Sequence, residues 1–292
     1  MPLSDLELAQ LDNPGVPDAQ LVVQLAQRTL DELAMQPPID HEIVASLRDV
    51  IRVEEAQIPW PGMIAHTEDG LVITLRANDS RGRKRFTVFH EVKHTFLPGF
   101  GTHANYRCTP TIAPPDEARS RDPDLEQLCD LGAAELLFPR EPFRADLLGN
   151  AVTFDLVEEL ATHYDGSVEA TARRVVTLHP RPVLFLVLAP CCKPTAPNAR
   201  PQLRVQSVQA GGRWPFVPRF KSVPDAGVFG RARHGELIDE ITSSLGDLTS
   251  DTITHVRVSA RPYPYLDDQG EQHMRVLALI TPAPSPRPRH AR

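Results

Sequence analysis

Apolar residues between Asp18 and Leu33 fall at Leu21, Val22, Leu25, Leu30 and Leu33, the spacing of a helix with one buried face. Pro37-Pro38 ends it, and Asp40 is placed to cap a second helix carrying Ile43, Val44 and Leu47. Gly70 to Leu75 reads as a strand closed by Arg76-Ala77-Asn78-Asp79. Phe89, Val92 and Phe96 return to helical spacing, as do Leu125, Leu128, Gly132 and Leu136 in the stretch from Asp124 to Pro139. Phe154 to Leu178 gives two short helices joined at Asp165-Gly166-Ser167, with Leu156, Leu160, Val168, Ala172 and Val175 as their buried positions. Val183 to Leu188 is apolar without interruption and reads as a strand buried on both faces. Further strands are expected at Leu203 to Val208, Thr254 to Ser259 and Arg275 to Ile280, and a helix from Glu236 to Leu245. Residues 1–20 are expected to be loosely ordered, 98–123 to form a long loop, and the Pro/Arg-rich 282–292 a disordered tail.

The order of elements predicts an α+β chain. Residues 1–180 form a mainly helical domain with a small sheet, including the helix pair at 154–178. Residues 181–281 form a smaller α+β unit suited to sensing or partner binding.

Hydrophobic residues make up 41%, enough for a packed core, and no run of 18 apolar residues is present to span a membrane. The first residues lack the basic and apolar regions of a secretory signal. Cys108, Cys129, Cys191 and Cys192 form no C-x-x-C pair, so a disulfide framework is not expected and a cytoplasmic location fits. The net charge of −7 is uneven: from residue 181 onward 15 Lys/Arg face 9 Asp/Glu, against 16 and 29 before it. That basicity suits an acidic partner or an ordinary solvated surface, and the second is favoured.

The chemistry gathers at His90-Glu91-Val92-Lys93-His94. On a helix, residues four apart project from one face, so both imidazoles can reach one zinc ion. Glu91 then stands beside the metal, where it can take a proton from the bound water. The basic run from Arg81 to Arg85 leads into this helix and reads as its solvated entry. A third ligand is expected from the helix at 124–139. Glu126 and Glu135 are nine apart, so their bearings differ by about 180° and only one can face the metal. Glu126 shares its face with the small Cys129 and Ala133, which suits close approach, so Glu126 is selected.

Two segments together resemble the ImmA/IrrE family of metallo-endopeptidases. The first runs from Arg83 through Arg85-Phe86-Thr87 to His90-Glu91 and His94. The second runs from Glu126 through Cys129, Asp130, Ala133, Ala134, Leu136 and Leu137 to Pro139. Lys93 and Phe89 stand where the family has small residues. The resemblance implies a zinc endopeptidase with His90, His94 and Glu126 as ligands and Glu91 as general base. It also implies a regulatory protein substrate, such as a helix-turn-helix repressor. His103, Tyr106 and His163 are candidates for the oxyanion donor the reaction needs. A second reading is a transcriptional regulator with structural zinc that binds DNA through the 154–178 helices. Arg173 and Arg174 are the only clear basic cluster there, fewer than a recognition helix generally carries.

Overall fold

The computed structural model describes residues 3–100, 105–108, 123–245, 248–249, 254–266 and 272–283, those at 105–108 as backbone alone. Most of the 98–123 loop, His103 and nearly all of the C-terminal tail lie outside them. The chain is α+β and divides into two compact units. One comprises 1–143 with 160–167, and the other 144–159 with 168–292. No helix among the described residues is long and apolar enough to cross a membrane.

The first unit opens with α1 (Asp5–Asp12), where loose structure is expected from the sequence. Its start is fixed by a reciprocal cap: Ser4 accepts from the Glu7 amide, and the Glu7 carboxylate accepts from the Ser4 amide. Next come α2 (Asp18–Leu33) and α3 (His41–Ser46), the latter capped by the Asp40 carboxylate as its position predicts. Strands β1 (Val50–Ala56), β2 (Gly62–His66), β3 (Leu71–Arg76) and β4 (Asn105–Cys108) form a sheet in the order β1-β3-β2-β4. Of these, only β3 is readable from the sequence. It is central and buried on both faces, whereas β1 is largely exposed. α4 (Arg81–His94) packs on β2 and β3 and against α5 (Pro123–Leu137), which in turn packs on α2.

The basic run is not a lead-in to α4 but its first turns, and each charge has a partner. Arg81 meets Asp165 at 2.6 Å, Arg83 meets Asp79 at 3.4 Å, and Lys84 meets Glu55 at 2.7 Å. The buried Arg85 guanidinium donates to the Ile39 carbonyl at 2.6 Å.

α6 (Arg140–Leu147), α7 (Phe154–His163) and α8 (Val168–Leu178) follow, the last two as the sequence predicts. β5 (Val183–Cys191), β6 (Gln202–Gly211), β7 (Ile238–Ser244), β8 (Thr254–Leu266) and β9 (Gln272–Pro282) form an antiparallel sheet in the order β6-β5-β9-β8-β7. Its central strand β5 explains the apolar run. Leu184, Leu186 and Leu188 enter the core that includes Phe229 of α9 (Val228–Arg233). Val183, Phe185 and Val187 alternate onto the opposite face.

The helix expected from Glu236 to Leu245 is a strand, β7. Pairing with β8 in the register Ile238↔Ala260 to Ser244↔Thr254 overrides the helical spacing. Thr242, Ser243 and Ser244 offer weak helix propensity to resist it. Leu237 and Ile241 are 66% and 55% exposed.

Candidate metal centre

The last two turns of α4 bury polar residues to an unusual degree. His90, Glu91, Lys93 and His94 are all at most 5% exposed. Burial of so many polar groups on one helix requires partners that justify their desolvation. For the two histidines they are supplied by α5. Glu126 Oε2 lies 3.2 Å from His90 Nε2, and Glu126 Oε1 lies 3.7 Å from His94 Nε2. Two donor atoms bound tetrahedrally to one ion at about 2.1 Å stand about 3.4 Å apart, so this spacing fits a single metal ion.

The outer ring nitrogens are held as well. Asp130 Oδ1 accepts from His90 Nδ1 at 2.8 Å, which fixes the tautomer that leaves Nε2 with its lone pair toward Glu126. Cys129 Sγ lies 3.4 Å from His94 Nδ1. His90, His94 and Cys129 are themselves close enough to hold a metal ion, with one donor atom from each within 4.8 Å of the others. The thiol sits on the Nδ1 side of His94, opposite the nitrogen that faces Glu126. Burial pushes it up and keeps it protonated, which makes it the poorer donor. Cys129 and Asp130 stand one helical turn from Glu126, at i+3 and i+4, which places them on its side of α5.

Glu135 has a different job. It is fully buried and accepts from the Arg140 amide at 2.8 Å and from Gln27 Nε2 at 3.2 Å. It thereby ties α5 to the start of α6 and to α2. The nine-residue offset does send the two glutamates to different partners.

Glu91 is positioned from the sheet side. A Cβ at Gly62 of β2 would fall 2.3 Å from Thr87 Cγ2 and 3.1 Å from Glu91 Oε1. Only glycine lets the strand lie this close to the helix at that carboxylate. Lys93 reaches the ring of Phe96. Its Nζ lies 3.6 Å from the Phe96 ring centroid and has no hydrogen-bond partner among the described residues. A Cβ at Gly132 of α5 would come within 2.4 Å of Lys93 Cε, so the lysine stem and the glycine fit each other. Burial, the largest influence, pushes the ammonium down to about 7.

Of the oxyanion candidates, Tyr106 lies in β4 opposite Ile64 of β2, the strand that borders Glu91. His163 is exposed at the end of α7, edge-on to the Tyr164 ring at 4.8 Å.

Comparison with curated proteins gives no match. Among solved structures, a Mycobacterium tuberculosis transcriptional regulator shares the fold with a TM-score of 0.59 over 96% of this chain and 81% of that one, at 14% identity. Residues 52–176 match the model of the peptidase M78 family, described as the IrrE N-terminal-like domain. The matched segment includes most of β1, all of β2 to β4, and both helices that carry the His/His/carboxylate group, α4 and α5. The family match and the His/His/carboxylate geometry thus fall on the same segment of the chain.

Proposed function

We propose that the protein is a cytoplasmic zinc endopeptidase that cleaves a regulatory protein such as a helix-turn-helix repressor. Residues 1–180 act as the peptidase part, and 181–281 as a sensing or partner-binding part. The observation that carries the reading is the convergence of His90 Nε2, His94 Nε2 and the Glu126 carboxylate, with Glu91 buried on the same helix. His90, His94 and Glu126 would hold the metal. When bound, zinc supplies Lewis acidity that polarises a peptide carbonyl and acidifies water. Glu91 accepts a proton from the attacking water on its carboxylate and returns it to the leaving amine. Asp130 holds the His90 ring in the required tautomer throughout. The resemblance to the ImmA/IrrE family supports a repressor substrate, and the structural neighbour named as a transcriptional regulator is consistent with a regulatory setting.

The alternative, DNA binding through the 154–178 helices, finds little to work with. Arg173 donates to Glu169 at 2.8 Å, and Arg174 is 7% exposed. Phosphate contacts need exposed cations.

The test has two parts. Wild type is expected to hold about one zinc per chain, and Glu126→Ala clearly less, by elemental analysis. Glu91→Gln is expected to keep the zinc and to lose about 10²–10⁴-fold in cleavage of the protein substrate. Equal cleavage by wild type and Glu91→Gln would overturn the mechanism. Full zinc in Glu126→Ala would overturn the choice of third ligand.

A further inference from the structure

The sheet of the first unit has two edges. β4 closes one, and β1 the other. β1 pairs with β3 alone among the described strands. The Ala56 carbonyl accepts from the Ala77 amide just beyond β3. Backbone groups of successive residues alternate sides along a strand. Arg52 and Glu54 therefore address β3 as Ala56 does, and the amides and carbonyls of Val53 and Glu55 face away from it. Such an outward row is a template for another strand.

Proteins usually blunt such an edge with charges of one sign, which repel a second copy. This edge is arranged the other way. Its sequence, Val50-Ile51-Arg52-Val53-Glu54-Glu55-Ala56, places opposite charges two residues apart around Val53. In an antiparallel pair of two copies with the two-fold axis at Val53, Arg52 of each chain stands opposite Glu54 of the other. Val53 faces Val53 as a hydrogen-bonded pair, which agrees with the outward direction of its backbone groups. Arg52 and Glu54 then form the two non-hydrogen-bonded pairs, whose side chains approach most closely. No like charges meet in this register: Ile51 faces Glu55, and Val50 faces Ala56.

Side-chain exposure permits it. Arg52 is 62% and Glu54 44% exposed, and their 2.9 Å contact within one strand is a solvent-facing pair that can exchange partners. Ile51 is 53% exposed on an edge where its burial would add to association. A groove between α3 and β1, lined by Glu42, Ser46 and Val50 to Val53, leaves room for the far end of the second strand.

We propose that β1 is a homodimerisation edge, on which a second copy of this chain adds its own β1 antiparallel about Val53. The charge pattern selects a second copy over an unrelated strand, because one sequence satisfies both sides. The inference is independent of the metal centre.

The experiment is sedimentation equilibrium of the full chain over a concentration series. Wild type is expected to show reversible association to twice its 32.4 kDa mass. Arg52→Glu and Glu54→Arg each place like charges opposite one another at both pairs. Each alone is expected to weaken self-association by about tenfold or more. The two single variants mixed together are expected to form a heterodimer, since one strand is then acidic and the other basic at both positions. The double variant Arg52→Glu/Glu54→Arg is expected to regain self-association. Circular dichroism on each variant establishes that it is folded. A wild type that stays monomeric at every concentration overturns the proposal. So does a dimer that both single variants retain, or folded single variants that fail to pair when mixed.

Discussion

Helix α4 and helix α8 each carry charged residues on the side that faces the protein, and each was a functional candidate on sequence grounds. In α8 the charges are consumed by the scaffold. Arg173 donates to Glu169 one turn away, to Ser207 Oγ at 3.0 Å on β6, and lies 5.5 Å from the Phe185 ring of β5. Its stem covers apolar surface, and its head ties helix to sheet. In α4 the arrangement is inverted. The first turns spend their cations on ordinary ion pairs, but the last two turns bury His90, Glu91, Lys93 and His94. The two histidines turn their Nε2 atoms toward one carboxylate, while Asp130 and Cys129 hold the other ring nitrogens. The difference shows how a structural charge and a functional one are told apart. A structural charge faces a partner that satisfies it. The two α4 histidines face a common carboxylate, with separate residues assigned to orient them.

That distinction breaks first at Asp130. Its side chain is 61% exposed, so it contributes little to the core, and its partner among the described residues is His90. Asp130→Ala is expected to lower metal affinity by about 10–100-fold, read by competition with a chelator, with the thermal midpoint of the metal-free protein nearly unchanged. If metal affinity holds and stability falls instead, α4 is stabilised as α8 is, and the orienting role is lost.

Much of this was legible beforehand, for physical reasons that differ from element to element. α2, β3, β5, α7 and α8 have strong periodicity or a fully apolar run, and each appears where the pattern puts it. Helix geometry gives the pairing of His90 with His94 and the opposition of Glu126 to Glu135, and the small Cys129 and Ala133 favour Glu126; in the structure the Glu126 carboxylate lies 3.2 Å and 3.7 Å from the two histidines. β1 was not legible because an edge strand with both faces exposed has no apolar alternation to read. β7 was misread because Leu237, Ile238 and Ile241 happen to fit a helix, and only pairing with β8 decides otherwise. Cys129 was noted as a small residue, but its contact with His94 depends on how closely α5 packs on α4. The burial of Lys93 could not be seen either. A lysine next to two histidines reads as solvated until Gly132 of α5 and Val22 of α2 close the space around it.

Lys93 sharpens the comparison through its charge. It is fully buried, its ammonium has no hydrogen-bond partner among the described residues, and burial brings its pKa from 10.5 down to about 7. Between about 7 and 10.5 the folded chain has released this proton while the unfolded chain keeps it. The unfolded state therefore binds more protons, and stability rises with pH across that window. Below about 7 both states are protonated, and the folded chain bears the full cost of the buried charge. Lys93→Met is expected to raise the stability of the metal-free protein by about 2 kcal/mol at pH 7 and below. The gain should shrink as pH rises toward 10.5. Urea denaturation at several pH values reads it directly. A gain that does not vary with pH would assign the effect to packing rather than to charge.

The smallest effect is expected where α8 is altered. Arg173 is 36% exposed, and its pair with Glu169 is the i, i+4 type that contributes a few tenths of a kcal/mol. Its bonds to Ser207 and Gln209 end on groups that water can satisfy when the arginine is removed. Arg173→Ala is therefore expected to cost up to about 1 kcal/mol by urea denaturation and to leave zinc content and cleavage unchanged. The same variant also addresses the competing DNA-binding reading. If α8 were a recognition helix, removing one of its two arginines would weaken DNA binding and lower the slope of its salt dependence by about one unit. The contacts argue the reverse: a guanidinium held by Glu169, Ser207 and Gln209 would have to abandon all three to reach a phosphate. Wild type should accordingly show no salt-sensitive retardation of DNA in a gel for Arg173→Ala to diminish. A retarded band that weakens in the variant would return α8 to the functional side of the comparison and leave α4 as the site of a structural metal.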